Sequence, residues 1–300
     1  MPMNRSQFPK ELENDLNAVW SAQERDYPLD WPKIFDKKNS TRAFEEQVLR
    51  VGLNVAPIKS EGAAIAEDEG GEFWTARYTH VTVALMFSLT QEALEDNQYS
   101  SLGAFYTGEL MRALREAEEI AAANVFNEAT STTIGDGVTL LSTSHPLWAG
   151  GTYSNTLSVA ADLSESALED TCIQVMNAVN DRGLPMPLMP KNIIIGNANA
   201  FNVHRILNSV QRVGTSDNDT NAIRSMGLFS GEPINLRRLT DTDAWFVKTD
   251  APMGLQFFTR KALEKGGQED FRTGNYEYKA RKRWSVGVTN PRAVFGSMGA

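Results

Sequence analysis

The chain has 300 residues, 29 lysines and arginines against 38 aspartates and glutamates, a formal net charge of −9 and 41% hydrophobic residues. That length fits one large domain or two small ones, and the apolar fraction suffices for a real core, which excludes a disordered chain. A single cysteine, Cys172, excludes a disulfide scaffold and points to a reducing compartment, while the acidic balance excludes a general affinity for phosphate backbones. No stretch approaches about 18 uninterrupted apolar residues, and the charged start MPMNRSQFPKELEND lacks the apolar run of a secretion signal, so synthesis in the cytoplasm is expected.

The first thirty residues are polar and acidic, with one amphipathic stretch that puts Leu12, Leu16, Val19 and Trp20 on one helical face. Tyr27-Pro28-Leu29 and Trp31-Pro32 stop it. Trp20, Trp31 and Phe35 are large aromatics in a leader that has no core of its own. They need cover, either from the body of the chain or from a neighbouring subunit.

From Phe73 to Phe87 the period becomes two, with Val81, Val83, Leu85 and Phe87 on one face of a long strand. The small, acidic, glycine-rich stretch from Ser60-Glu61-Gly62 to Glu69-Gly70-Gly71 reads as the tip of a two-stranded excursion that starts near Val55. A two-stranded hairpin is barely stable alone, so it either lies on another surface or is an ordinary edge hairpin of its own domain. The strongest helix follows at about Leu102 to Glu128, with an apolar stripe of Leu102, Tyr106, Leu110, Leu114, Ala117, Ala121 and Val125. Arg112 with Glu116 and Arg115 with Glu119 are spaced as i,i+4 pairs on its wet side.

Residues 130–160, rich in Ser, Thr and Gly, read as a connector or a loop-heavy lobe edge. Asp162 and Glu165 open a second amphipathic helix whose buried face is Leu168, Cys172, Val175, Met176 and Val179, ended by Gly183 and Pro185. Lys191 to Gly196 reads as a buried strand and Ala198 to Val213 as a helix. Short strands recur at Ile234–Leu239, Trp245–Lys248, Leu255–Thr259 and Tyr276–Val288, with Pro233, Pro252-Met253-Gly254 and Gly266-Gly267 as breaks. The fold class is α+β.

Catalytic signatures are missing. His80, His145 and His204 have no companion ligands at metal spacing. His145, before Pro146, fits a turn-capping role, and Cys172 sits on an apolar helix face as a buried small hydrophobe. Asp217-Asn218-Asp219-Thr220-Asn221 begins like a calcium loop but has Ala222 where the turn glycine belongs. No phosphate-cradling glycine loop exists. No catalytic residue, cofactor or metal is therefore assigned. One basic run remains, Lys279-Ala280-Arg281-Lys282-Arg283-Trp284. Because neighbours on a strand point to opposite faces, it fits an inter-subunit charge pair with Glu67-Asp68-Glu69 better than a phosphate-binding patch.

An arm, an extended hairpin, a long helix, a compact α+β lobe and a returning set of strands follow one another in an order that resembles the major capsid proteins of tailed double-stranded DNA bacteriophages. This is the Hong Kong 97-like fold, and more narrowly the Mu-type major head subunits. The closest local matches are Leu141-Ser142-Thr143-Ser144-His145-Pro146 followed by Asn155, and Thr273-Gly274-Asn275-Tyr276 with Lys279-Ala280-Arg281, running to Asn290-Pro291-Arg292 and Phe295-Gly296-Ser297. The likeness covers most of the chain from about Phe44.

The resemblance implies an N-terminal arm (1–50), an extended loop with its strands (51–90), a peripheral domain with a spine helix (91–134), an axial domain (135–250) and peripheral return strands (251–300). It implies a structural shell protein without enzymatic activity, a homo-oligomer of hexamers and pentamers that encloses DNA without sequence-specific binding or a membrane. The shell would be a virion capsid assembled in the host bacterial cytoplasm. The chain leaves no room for a long scaffolding segment, so separate scaffold and portal proteins, and decoration proteins, are the expected partners. Lys59 and Asn290 show none of the surroundings an isopeptide crosslink needs, so none is expected. Inter-subunit contacts are expected at Trp20, Trp31, Phe35, Glu67, Asp68, Glu69, Phe73, Trp74, Arg77, Arg281 and Arg283. An encapsulin-like nanocompartment shell shares the fold and is the alternative; a small-molecule hydrolase with dispersed active-site residues is a third reading.

Overall fold

The structure, a computed structural model, describes residues 27–90, 92, 100–212 and 219–300. The amphipathic stretch around Leu12 to Trp20, Val213 and the Asp217-Asn218 pair lie outside the described residues.

Two long strands organise one half. Strand β10 (Leu255–Glu269) and strand β11 (Tyr276–Val288) form an antiparallel hairpin from Leu255↔Val288 to Glu269↔Tyr276. Gly266-Gly267, expected as a break, lies inside this ladder. The reason is local: a Cβ at Gly267 would run into the Tyr276 hydroxyl, so glycine lets the ring lie across the strand. Strand β4 (Val81–Leu89) pairs with the free side of β11, and the short β1 (Asp36–Asn39) pairs in parallel with β10, giving the order β1-β10-β11-β4.

The long Phe73–Phe87 strand expected from alternation is two strands. Strand β3 (Gly71–Thr79) pairs with β2 (Phe44–Val51) in a separate two-stranded sheet, and the chain changes sheets at His80. The phase of the alternation changes there: β3 buries Trp74, Ala76 and Tyr78, and β4 turns Val83 and Phe87 inward.

Helix α2 (Ser100–Asn127) spans about 42 Å at 1.5 Å per residue. Its first half packs Leu110, Met111 and Leu114 on Tyr276, Tyr278 and Ala280 of β11, with Val83 and Phe87 of β4 alongside. Its second half turns Ala122, Ala123 and Phe126 into the main core. The buried stripe is rotated from the expected one: Tyr106 is exposed, while Thr107, Glu118 and Glu119 are buried. The segment leading into the short helix α1 (Trp31–Ile34) causes this, because it lies on the helix and takes over its carboxylates. Glu119 accepts the backbone N–H of Asp30 at 2.6 Å and of Trp31 at 3.2 Å, satisfying donors at the start of α1. Burial pushes the Glu119 carboxyl up, against the pull of those two N–H groups. The expected i,i+4 pairs are not the ones formed: Arg112 pairs with Glu109 at 2.7 Å, Glu116 with Arg238, and Arg115 reaches the Tyr27 carbonyl.

The other half is built on a second sheet of order β12-β9-β7-β8, from β7 (Pro190–Ile195), β8 (Ile234–Asn235), β9 (Trp245–Thr249) and β12 (Val294–Ser297), while the two-residue strands β5 (His145–Pro146) and β6 (Thr152–Tyr153) pair with each other. The last strand, expected among the peripheral return strands, pairs with β9 instead, so the chain ends on the other lobe. Helix α3 (Glu165–Met176) and helix α4 (Ala200–Asn208) cover this sheet through Leu168, Cys172, Val203 and Ile206 against Ile193, Ile195, Trp245 and Val247. Ser164, not Asp162, caps α3 by accepting the Ala167 N–H at 3.2 Å, and Met176 faces solvent. The core between the lobes draws on both sheets, with Ile194, Phe246 and Val294 meeting Phe257, Trp284 and the second half of α2.

Candidate assembly surfaces

The segment between β2 and β3, residues 52–70, leaves the body. It carries Leu53, Val55, Ile58 and Ile65, and the last two are 100% and 80% exposed. Four apolar side chains on an irregular excursion lie open among the described residues, which is the pattern of a surface completed by something else. The turn is at Ser60 to Ala63, closed by the Ala63 N–H on the Ser60 carbonyl at 3.1 Å, with Gly62 at φ +77°.

Glu67-Asp68-Glu69 is not the tip but the neck. Arg182, from the loop after α3, donates from Nε to the Gly52 carbonyl at 3.1 Å and from Nη2 to the Glu69 carbonyl, and faces Asp68 Oδ1 at 3.5 Å. Asp68 Oδ2 accepts the Asn54 N–H at 2.6 Å, tying the two limbs together. The Asn54 N–H, with the Arg182 guanidinium behind it, holds the Asp68 carboxyl below its usual range. An ion pair of Asp68 with the 279–284 run of another subunit would have to displace these contacts.

Three aromatics expected at subunit contacts are used internally. Trp31, 2% exposed, stacks on Phe257 with ring centroids 3.8 Å apart and planes at 17°. Phe35, 3% exposed, meets Phe126 edge-on. Trp74, 7% exposed, donates its indole N–H to the Thr289 carbonyl at 3.1 Å. Their rings are covered by their own chain, which leaves no surface for a neighbour and corrects the expectation for these three. Phe73, half-buried, lies between Trp74 and Trp148, and exposed Arg77 sits 3.9 Å over the Phe44 ring. Trp20 is outside the described residues.

The basic run is more one-sided than neighbour alternation suggests. Lys279, Arg281 and Arg283 are two residues apart on β11 and share the face away from α2. Lys282 points the other way and pairs with buried Glu118 at 2.6 Å. On the open face Arg281 and Lys261 both hold Glu264 at 2.7 Å. Strand β3 covers the other half of this face, with Tyr78 against Phe258. Beside it, β4 is the sheet's last strand and carries exposed Val81, Leu85 and Met86. At the far end of the β10–β11 hairpin Phe271 is fully exposed on a turn held by the Thr273 hydroxyl, which donates to Asp270 Oδ2 at 2.7 Å.

Sequence reasoning missed a buried polar stack. His145 Nδ1 lies 2.6 Å from Asp136 Oδ2, and its ring stacks on Tyr153. The Arg292 guanidinium lies 4.3 Å over the Tyr153 ring, donates from Nε to the Val179 carbonyl at 2.7 Å and faces Asp181 Oδ1 at 2.9 Å. His145, expected as a turn cap, thus helps join four loops. The signal was in the sequence as Asn290-Pro291-Arg292, where an arginine stands in an otherwise apolar end.

Among the described residues no group of three His, Cys, Asp or Glu could hold a metal ion. Cys172 is buried, which pushes its thiol up to about 12, away from nucleophilic use. A groove of about 510 Å³ between β3, the end of α2 and β11 is lined by Arg77, Tyr78, Asn124 and Glu128 among apolar and threonine side chains, without histidine, cysteine or serine. No described helix is long and apolar enough to cross a membrane.

The profile of a family described as phage capsid protein matches residues 74–296. Sequence comparison with curated proteins finds no match. The chain is similar in structure to the capsid of a native GTA particle computed with C5 symmetry, with TM-score 0.58, 13% identity and 90% of each chain covered. It is similar to Mycobacterium phage Che8 with TM-score 0.53 and 12% identity over 91% of this chain and 93% of that one. A virus-like particle from Pyrococcus furiosus matches with TM-score 0.52 and 12% identity over 95% of this chain and 98% of that one. At these identities the likeness establishes the fold, the Hong Kong 97-like arrangement of helices and strands.

Proposed function

The chain belongs to the phage capsid protein family, and from that membership we propose that it assembles in many copies, as hexamers and pentamers, into an icosahedral shell that encloses packaged double-stranded DNA. Its role is structural, and no catalytic step is assigned to it. The observation that carries this reading is the 52–70 excursion, whose apolar side chains have no support among the described residues and whose neck is tied rather than loose. A neighbouring copy supplies the missing surface. Of the expected contact residues, Glu67, Phe73, Arg77, Arg281 and Arg283 keep accessible atoms for such contacts; Asp68 and Glu69 contribute by holding the neck. The division into arm (1–50), extended loop (51–90), spine-helix region (91–134), axial domain (135–250) and return strands (251–300), the last of which joins the sheet of β9, belongs to this reading.

At −9 per copy, like charges oppose assembly and must be outweighed by contact area, for which interfaces of about 1,600 Å² are ordinary. Salt screens that repulsion, so raised ionic strength eases assembly of the purified chain. An acidic wall also leaves enclosed DNA free to slide, where a basic one would hold it. Separate scaffold and portal proteins complete the assembly in the host cytoplasm, and decoration proteins would add to the finished head. No Lys59–Asn290 crosslink is part of this reading: Asn290 is buried, donates to the Pro252 carbonyl at 3.1 Å and accepts the Arg292 N–H.

Negative-stain electron microscopy of the purified chain tests the proposal. Capsomer rings or closed polyhedra are the expected result, and a species that stays monomeric at all salt and protein concentrations, with or without co-expressed neighbours, overturns it. Shells that hold protein cargo and never nucleic acid would favour the nanocompartment reading.

A further inference from the structure

His80 is the single residue between β3 and β4, at the point where the chain passes from the hairpin to the long sheet. It is 8% exposed and uses both ring nitrogens, with Nε2 at 2.9 Å from Ser40 Oγ and Nδ1 at 3.0 Å from Ser285 Oγ. Ser40 Oγ donates its only proton to Glu45 Oε1 at 2.7 Å, so it offers a lone pair to the imidazole. The tautomer follows: Nε2 carries the proton and donates to Ser40, and Nδ1 accepts from Ser285. This relay joins four segments, namely the turn after β1, the start of β2, the β3–β4 junction and β11. Every hydrogen-bonding position in it is filled by the neutral ring.

A second proton on Nδ1 would set donor against donor at Ser285. That hydroxyl would have to swing round and find another acceptor in a site only 5% exposed. The charged groups around the ring are Glu45 on β2, Arg283 on β11 and Arg260 on β10. Burial holds His80 below the ordinary histidine range; Glu45 opposes this and the two arginines add to it.

We propose that His80 is a protonation-sensitive pin: neutral, it fastens the β1–β2 turn and the root of the hairpin to the long sheet, and protonated it releases them. Trp74 and Tyr78, both hydrogen-bonded to Thr289, keep the rest of β3 seated when the pin opens. The release is thus local, at the root from which the excursion extends. It concerns the single chain and does not depend on shell formation.

Amide hydrogen exchange of the full chain, corrected for intrinsic rates and followed from about pH 7.5 to pH 5, reads the pin directly. Segments 40–46 and 79–82 are expected to lose protection by up to about tenfold per unit of pH below the transition, one proton being coupled to one opening. Strand β7 should not change over the same range. In His80→Gln, which keeps a donor and an acceptor but does not titrate, the step should vanish. An unchanged step in His80→Gln overturns the proposal. If that variant does not fold, the wild-type profile decides alone, because a step that β7 shares, or no step at all, also overturns it.

Discussion

Tyr27 donates its hydroxyl proton to the carboxylate of Glu116, 89 residues away, and accepts from Arg238 with the same oxygen. Three remote parts of the chain meet there: the start of the described arm, the exposed side of α2 and the loop before β9. With Glu119 capping α1 one turn further along, the arm is held by two carboxylates of one helix.

The first of these carboxylates makes arm docking acid-sensitive. The Arg238 guanidinium, with the Tyr27 hydroxyl, pulls the Glu116 carboxyl from its ordinary range down to about 2. A carboxyl depressed on folding contributes stability that is complete above the unfolded value and is lost as pH falls from there towards 2. Glu116→Gln is therefore expected to cost about 1–2 kcal/mol at pH 7 and close to nothing at pH 2, since the pair is partly exposed. Urea melts of both proteins at several pH values check this.

Trp31 fills the space between Phe257 and the second half of α2, so Trp31→Ala leaves a cavity that rigid strands cannot close. The expected loss is about 3–5 kcal/mol, measured by chemical denaturation. A loss under about 1 kcal/mol would mean that the arm does not share the core.

Gly296 lies against the backbone of β9, where an added Cβ would meet the Trp245 carbonyl oxygen and, at 2.9 Å, the Phe246 Cα. Backbone cannot move aside as a side chain can. Gly296→Ala should cost about 2 kcal/mol or more and uncouple the last strand, seen as faster amide exchange in 294–297.

Arg182→Ala removes the clamp across the neck while leaving the cores intact. Trypsin cleavage after exposed Lys59 is expected to rise about three- to tenfold, while global stability changes by less than about 1 kcal/mol. Capsomer yield should fall with it, because the excursion would reach its neighbour without a set direction. Unchanged proteolysis would show that Asp68 and Asn54 hold the neck unaided.

Most elements were legible because they follow local periodicity. The α2 pattern repeats every 3.6 residues, β7 and β9 are continuous apolar runs, and the order of elements identified the fold. What escaped was non-local. Nothing near Glu119 says that its carboxylate caps a helix 88 residues upstream, and nothing near Arg182 says that it closes a loop at Gly52. Trp31 and Phe35 read alike whether a neighbour or their own chain covers them. Glycine misled at 266–267, where the residue that signals a turn instead makes room for Tyr276. The break at His80 is marked only by a one-residue change of phase, from Trp74, Ala76 and Tyr78 inward to Val83 and Phe87 inward, which two period-two runs in succession disguise.

Strand β4 ends its sheet with nine residues, VTVALMFSL, that include no charge and no proline. Natural sheets guard such borders with lysine, proline or a bulge, and β4 has none of the three. Two free molecules meeting side by side can therefore extend each other's ladder into a ribbon rather than a closed surface. Keeping the unassembled pool small becomes a requirement of the fold, and a preparation stored concentrated should turn fibrous before it turns turbid from unfolding.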